Sequence, residues 1–429
     1  MSGHVVDAVE LPIDRLRAPL LRLIHLENLS GLALIAGAVT ALVLANSPLH
    51  EVVDHFWHQH LQVTVGMIDL DESLSHWVND GLMTVFFFVA GLEIKRELVA
   101  GDLRDPRKAA LPAFAALGGM VVPALVYVAL SDSATRGGWG IPMATDIAFA
   151  VGILTLLGNR VPGRLKVFLL TLAIVDDLGA IIVIAIFYTA TLNTTALAVA
   201  GMLVLTLVAL RVLGVWWMPV YVVTGAFLWL AVFESGVHAT LAGVVCGLLA
   251  PAKPRRPANT EVVASPAHTI DQLKAIVFDT RETKSVADRL IHNLHPFSAL
   301  IIVPVFALAN TGVAISPSAL ADTAASPVGQ AIFVGLLGGV GFTVSLFITE
   351  LAFTSEAVVD ASKIAVLVAS TAAAGLGSAI LWRTGNGQEH GEQDMPSITF
   401  AELDATTPEQ WLGPAKTAAT SERPVEDVR

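Results

Sequence analysis

The chain has 429 residues, of which 54% are hydrophobic and 14% are charged, and its formal net charge is −12. A composition this apolar excludes an ordinary soluble enzyme and predicts a polytopic membrane protein. The negative charge is no argument for a nucleic-acid partner, because residues 385–429 hold nine Asp or Glu and three Lys or Arg. The single cysteine, Cys246, excludes an intramolecular disulfide and a cysteine-rich metal site.

Three regions follow one another along the chain. Residues 1–29 are predicted to form a cytoplasmic amphipathic segment on the membrane surface, because Arg15 and Arg22 share one helical face with leucines between them. Residues 30–383 contain about eleven apolar runs of membrane-spanning length, which predicts an all-α transmembrane domain. Residues 384–429 are acidic and rich in Glu, Thr and Pro, which predicts a disordered tail.

Basic loops set the expected orientation. Lys and Arg cluster in residues 95–108 and again in 253–295, which predicts that these loops and the N-terminus are cytoplasmic. Between the first two spans, alternating residues at 61–65 precede a turn-prone stretch at 69–73. This pattern predicts a small β-hairpin on the periplasmic side.

Three carboxylates lie inside apolar runs. Asp176 and Asp177 are near the middle of the run 165–188, and Asp146 lies in a run that Pro142 interrupts. Acids at this depth usually line a water-filled path or bind an ion, although a buried pair that joins two helices is the structural alternative. Irregular backbone at membrane depth is tolerated where it lines a cavity, so a broken helix here indicates a site.

The chemistry of this set favours ion exchange. A carboxylate oxygen holds either a proton or a small hard cation, and two neighbouring carboxylates titrate as one coupled unit. Asp176 and Asp177 are therefore predicted to bind Na⁺ or protons in competition, and Thr145 offers a further oxygen. Competition combined with alternating access is exchange. No enzymatic activity and no cofactor beyond the transported ions are expected.

Five segments carry a resemblance to a known family, namely GLEIKREL at 91–98, ATDIAF at 144–149, AIVDDLGA at 173–180, SGVHATLAG at 235–243 and GFTVSLFI at 341–348. In this order they resemble the NhaA family of bacterial sodium/proton antiporters, over roughly residues 30–381. The resemblance implies inverted repeats with broken helices that cross near the membrane midplane. It also implies a bacterial inner-membrane location and a homodimer formed through the hairpin at 61–72.

The resemblance also implies roles for individual residues. Asp176 and Asp177 would carry the ion and the proton, with Thr145 and Asp146 beside them. The candidates for pH sensing are Glu93, Glu97, His238, His292 and His295. Other marked positions are Asp80 and the glycines of the second broken helix, Gly338, Gly339 and Gly341. Glu93 and Glu97 have an alternative as solvated helix-end charges, and His238 has one as a packed histidine.

One departure from the family pattern concerns a missing helix. The family normally has a membrane helix with a Gly-Lys-Pro motif before the segment at 341–348, but here no lysine lies between Lys284 and Lys363. Asp176 would therefore lack the lysine that the family pairs with it. With one crossing fewer, the second broken helix meets the first correctly only if residues 331–353 re-enter without crossing or if the preceding stretch partly replaces the lost helix.

The predicted function is a Na⁺(Li⁺)/H⁺ antiporter that expels cytoplasmic sodium in exchange for external protons and serves pH and sodium homeostasis. The alternatives are an electroneutral or altered-selectivity cation exchanger, and a transport-inactive membrane homologue with an interaction role. The sequence leaves open the stoichiometry, the preference between Na⁺ and Li⁺, and the side of the tail.

Overall fold

The structure is a computed structural model that describes residues 26–65, 68–157, 163–189, 192–215, 217–252, 285–336 and 339–384. The predicted amphipathic segment up to residue 25, the acidic tail from residue 385 and Gly338 lie outside the described residues. The described residues are mostly helical, and they include one two-stranded sheet.

The helices of the first half are α1 (Leu26–Ala45), α2 (His50–Trp57), α3 (Leu74–His76), α4 (Met83–Ala100), α5 (Pro106–Leu130), α6 (Ile147–Leu157) and α7 (Gly163–Phe187). Those of the second half are α8 (Thr194–Val212), α9 (Met218–Glu234), α10 (Thr240–Leu249), α11 (Val286–Phe297), α12 (Val303–Asn310), α13 (Pro317–Ala325), α14 (Pro327–Leu336), α15 (Thr343–Ala352) and α16 (Glu356–Thr384). π-Helical turns at Trp77–Leu82 and Ser298–Ile302 join α3 to α4 and α11 to α12. Short 3₁₀ helices cover Asp102–Arg104 and Arg136–Met143.

Six helical stretches of the described chain are long and apolar enough to cross a membrane, and the bent pair α1 and α2 makes a seventh if it counts as one span. The six are 109–130, 136–154, 168–187, 194–212, 286–310 and 356–383. Helices α9, α10, α14 and α15 are apolar but shorter. The expected all-α membrane architecture is thus confirmed in outline.

Polar side chains at the helix starts explain where several spans begin. The Asp105 carboxylate accepts a hydrogen bond from the Arg107 N–H, and Pro106 occupies the first position of α5, where its missing N–H has no cost. Asn193 caps α8 in the same way, and Ser285 caps α11. These caps satisfy N–H groups that a helix cannot pair internally.

The predicted hairpin is present. Strands β1 (His60–Val65) and β2 (Ile68–Ser73) pair antiparallel, with His60 opposite Ser73. The Trp77 indole N–H donates to the Leu61 carbonyl at 3.1 Å, which fixes the hairpin to the start of the second span. We call the end of the helical bundle that carries this sheet the hairpin end.

Close backbone contact aligns α10 with α4. A Cβ on Gly243 would collide with the Thr84 carbonyl, and a Cβ on Gly247 would lie 2.8 Å from the Gly91 backbone. Both helices therefore run in the same direction, away from the hairpin end. His238, just before α10, consequently lies at the hairpin end, while Glu93, beyond Gly91 on α4, lies toward the opposite end.

A chain of contacts extends the hairpin end to the start of the broken helix. His238 Nε2 lies 2.6 Å from the carbonyl oxygen of Tyr188, directly after α7. The Tyr188 hydroxyl donates to the Gly137 carbonyl at 2.9 Å and accepts from the Gly140 N–H at 3.0 Å. The 3₁₀ helix Arg136–Met143 therefore enters the bundle from the hairpin end.

Candidate ion-binding site

The span from Arg136 to Leu157 is a broken helix, as the sequence predicts. The 3₁₀ helix ends at Met143, Ala144 has extended dihedral angles, and α6 begins at Ile147. Pro142 contributes to the break because it has no backbone N–H to donate. The non-helical backbone of residues 144–146 then meets two other elements, α7 and the start of α15.

Asp146 joins the two broken segments. Its side chain is 3% exposed, and its Oδ2 accepts hydrogen bonds from the backbone N–H of Thr343 at 2.8 Å and from the Thr343 hydroxyl at 2.6 Å. Its Oδ1 accepts from the Phe149 N–H at 3.0 Å, and its own N–H donates to the Val340 carbonyl at 2.7 Å. A carboxylate at two helix N-termini is stabilised by their free N–H groups and their dipoles.

Asp176 accepts hydrogen bonds from Thr145, the other polar residue of the break. Its side chain is 2% exposed, in the middle of α7. Its Oδ2 accepts from the Thr145 backbone N–H at 3.0 Å and also from the Thr145 hydroxyl. The extended backbone of the first broken helix is thereby held against the carboxylate that the sequence places at membrane-centre depth.

Asp177 follows on α7 and is only partly buried. Consecutive helical residues point about 100° apart, so the two aspartates present their carboxylates in different directions. The charges of Asp176, Glu93 and Asp146 act on Asp177. Asp176 and Asp177 are thus adjacent acids in the middle of α7, and carboxylates suit a proton or a small cation better than an anion.

Two ion pairs of Lys or Arg in the described residues do not include Asp146, Asp176 or Asp177. These pairs join Arg96 to Glu97 at 3.8 Å and Lys363 to Glu350 at 2.6 Å. Within the described ranges, none of the three aspartates forms an ion pair with Lys or Arg, since the two pairs use Glu97 and Glu350. The loss of the family lysine stays a prediction from the sequence.

The predicted pH-sensing residues divide into two groups. His295 Nε2 lies 3.7 Å from Glu93 Oε1, Glu97 lies one turn further along α4, and His292 is exposed on the same helix as His295. His238 is not with them, because it lies at the hairpin end against the Tyr188 carbonyl. The basic loops already carried a signal for this separation. Counting crossings from a cytoplasmic N-terminus predicts that the turn before His238 is periplasmic, whereas the end of α4 with Glu93 and Glu97 is predicted to be cytoplasmic.

The remaining predicted positions have separate surroundings. Asp80 lies in the π-helical turn at the hairpin end, where its Oδ2 is 2.8 Å from His76 Nε2. A Cβ on Gly339 would lie 3.7 Å from the Thr145 methyl group, whereas one on Gly341 would collide with the Ala144 carbonyl. Gly341 is therefore required for the close approach of the two broken segments.

Two hydroxyl residues of the crossing were missed from the sequence. Thr343 supplies two donors to Asp146, and the Ser345 hydroxyl donates to the Ile141 carbonyl at 2.6 Å. Both lie in the segment that carries the family resemblance. A hydroxyl directly after a glycine-rich break was the available signal, because such groups satisfy backbone partners that lipid cannot.

Comparison with known proteins gives the family. The family model for Na⁺/H⁺ antiporter 1 matches residues 21–339 and 328–381. The chain is 44% identical over 392 residues to the Na⁺/H⁺ antiporter NhaA 3 of Frankia alni, across 81% of this chain and 85% of that protein. The chain belongs to the NhaA family of Na⁺/H⁺ antiporters. The resemblance inferred from the five segments is thereby confirmed.

Other NhaA relatives match over similar lengths. Identity is 43% over 433 residues to the NhaA antiporter of Rhodopirellula baltica, across 89% of this chain and 98% of that protein. It is 40% over 391 residues to that of Shewanella sediminis, across 82% and 92%. The two ranges matched by the NhaA family model overlap at residues 328–339, which is where the sequence predicts the missing helix. These NhaA relatives are named as Na⁺/H⁺ antiporters, which are transporters rather than enzymes.

Proposed function

We propose that this chain exchanges cytoplasmic Na⁺ or Li⁺ for external protons across the bacterial inner membrane and so maintains sodium and pH balance. The observation that carries the proposal is the buried Asp176 carboxylate, which the Thr145 backbone and hydroxyl hold in the middle of α7, beside Asp177. Buried acids at the break of a membrane helix are suited to binding a transported cation.

The exchange follows from competition for the same oxygens. A proton on a carboxylate removes its charge and occupies the position where a cation binds, while a bound Na⁺ uses those lone pairs and displaces the proton. Asp176 and Asp177 would be the binding residues, and the Thr145 oxygen a further ligand. If the site opens to one side at a time, each cation that leaves must be replaced by protons from the other side.

Neighbouring residues have supporting roles in this proposal. Asp146 positions the two broken segments, because its carboxylate oxygens are already used by N–H and hydroxyl donors. Glu93 and His295, toward the end opposite the hairpin, would respond to cytoplasmic pH. The N-terminus would be cytoplasmic, and the hairpin at 61–72 would join two copies of the chain into a dimer.

A second candidate is electroneutral exchange. Within the described residues no Lys or Arg pairs with Asp176 or Asp177, so a site without cation or proton would carry two uncompensated negative charges in apolar surroundings. Such a state is costly, which favours one carboxylate keeping its proton throughout the cycle. One proton would then exchange for one Na⁺, and no net charge would cross the membrane.

Everted membrane vesicles with an imposed proton gradient test both candidates. Added Na⁺ or Li⁺ should dissipate the gradient, whereas choline should not. The Na⁺ response should depend on membrane voltage for electrogenic exchange and should be independent of it for electroneutral exchange. Folded protein in the membrane without any Na⁺ or Li⁺ response would contradict the proposal and would favour the transport-inactive alternative.

A further inference from the structure

The segment between α12 and α16 starts at the hairpin end. The Asn46 side chain, directly after α1, donates from Nδ2 to the Val313 carbonyl at 3.0 Å and accepts at Oδ1 from the Ile315 N–H at 2.7 Å. Asn46 leads through α2 straight into the hairpin. Residues 313–315, and therefore the start of α13, are held at that end.

The same segment also finishes at the hairpin end. A Cβ on Gly138 would lie 2.5 Å from the Phe353 ring, and one on Gly137 would lie 3.9 Å from the Ala352 carbonyl. Gly137 is held by the Tyr188 hydroxyl at the hairpin end. The last turn of α15 therefore returns to the end from which α13 started.

Between these points the segment reaches the ion site. Gly335 packs against Pro142 so closely that a Cβ would lie 2.6 Å from the proline ring, and Val340 accepts from the Asp146 N–H. Helix α13 has nine residues and α14 has ten. At 1.5 Å per residue these helices are about 14 and 15 Å long, which is about half of a hydrocarbon core of about 30 Å. Because the chain returns to the hairpin end after them, the segment makes no net crossing.

We propose that residues 327–336 and 339–352 form the two arms of a re-entrant hairpin that enters from the hairpin end, contacts Asp146 at the site and returns without crossing the membrane. In this arrangement the re-entrant hairpin closes the ion site on the side of the hairpin end. The path from the site to the opposite end of the bundle is then lined by other helices. The chain would cross ten times, through α1, α4, α5, the broken helix 136–157, α7, α8, α9, α10, α11 with α12, and α16. The end of α16 would consequently lie on the cytoplasmic side with the N-terminus.

Cysteine accessibility in intact cells tests the proposal, and the test does not depend on which ion is transported. In the full chain with Cys246→Ala, single cysteines replace two exposed residues that flank the re-entrant hairpin, Ser318 and Ser355. His58→Cys marks the hairpin end, and Arg289→Cys on α11 marks the opposite end. Arg383→Cys reports the end of α16. A membrane-impermeant maleimide is applied before and after permeabilisation.

We expect Ser318→Cys and Ser355→Cys to be labelled together with His58→Cys in intact cells, and Arg383→Cys only after permeabilisation, together with Arg289→Cys. Labelling of Ser318→Cys with the hairpin marker but of Ser355→Cys with the opposite marker would show a crossing and would overturn the proposal. Labelling of both with the opposite marker would also overturn it. The unfolding temperature of each variant is measured as a control for folding. The labelling outcomes are read only for variants that unfold at the same temperature as the parent.

Discussion

Removing the Asp146 carboxylate should weaken the crossing of the two broken segments. In Asp146→Ala, the partly buried N–H of Phe149 and the buried N–H and hydroxyl of Thr343 lose their acceptor. An unpaired buried donor costs about 1–3 kcal/mol, although hydrogen bonds between membrane helices average nearer 0.6 kcal/mol. We expect Asp146→Ala to lower the free energy of unfolding by about 2–5 kcal/mol.

Asp146→Asn keeps the size of the side chain and one acceptor oxygen, so it tests the hydrogen bonds apart from the loss of the side chain. The amide oxygen can still accept from the Phe149 N–H, but the amide nitrogen cannot accept from the Thr343 N–H. The loss for Asp146→Asn should therefore be about half of that for Asp146→Ala. The measurement is thermal or denaturant unfolding of the purified protein in detergent, and Asp322→Ala, an exposed acid on α13, is the control. If Asp146→Ala unfolded at the same temperature as the Asp322→Ala control, the crossing would not depend on this carboxylate.

Three further predictions concern the site, α15 and the hairpin end. Thr145→Val should reduce the apparent affinity for Na⁺ in vesicle assays while Thr145→Ser keeps it, because only serine retains the hydroxyl that donates to the site carboxylate. Lys363→Met should destabilise the fold by about 1–3 kcal/mol, since it leaves Glu350 unpaired beside a lysine site that is 13% exposed. Adding Glu350→Gln should restore most of the loss, and a purely additive double variant would refute the pairing. The hydrogen bond to Asp80 raises the pKa of His76, against the effect of burial. A raised pKa means that this pair stabilises the fold at low pH and loses its effect as the pH rises through that pKa. His76→Gln should therefore lower the unfolding temperature more at about pH 6 than at about pH 9, and an equal loss at both would contradict this.

The features that depend on membrane depth or on a local pattern could be predicted from the sequence. Asp176 and Asp177 stand out because acids are costly in the middle of an apolar run, and the break before Asp146 is visible from Pro142. The hairpin at 61–72 follows from its alternation. All of these signals are local, so they do not require knowledge of which helices are neighbours.

Contacts between residues that are far apart in the sequence could not be predicted from these local patterns. Asp146 bonds to Thr343, which is 197 residues away, and nothing local distinguishes a ligand acid from one whose oxygens are already used. His238 was grouped with Glu93 by family resemblance, but the parallel packing of α10 on α4 separates them. The path of residues 313–336 and 339–353 depends on the contacts of Asn46 and Gly137, which no periodicity reveals.

The most direct test of the central claim is Na⁺-dependent proton movement in everted vesicles that contain Asp176→Asn or Asp177→Asn. Asp360→Asn on α16, an exposed acid outside the site, is the matched control. Asparagine keeps the size of the side chain but can neither release a proton nor supply a negative charge to a cation. We expect both site variants to insert in the membrane at normal levels and to show no Na⁺ response, while Asp360→Asn responds like the parent. Full exchange in both single variants would contradict the assignment of these two aspartates as the residues that carry the ion and the proton.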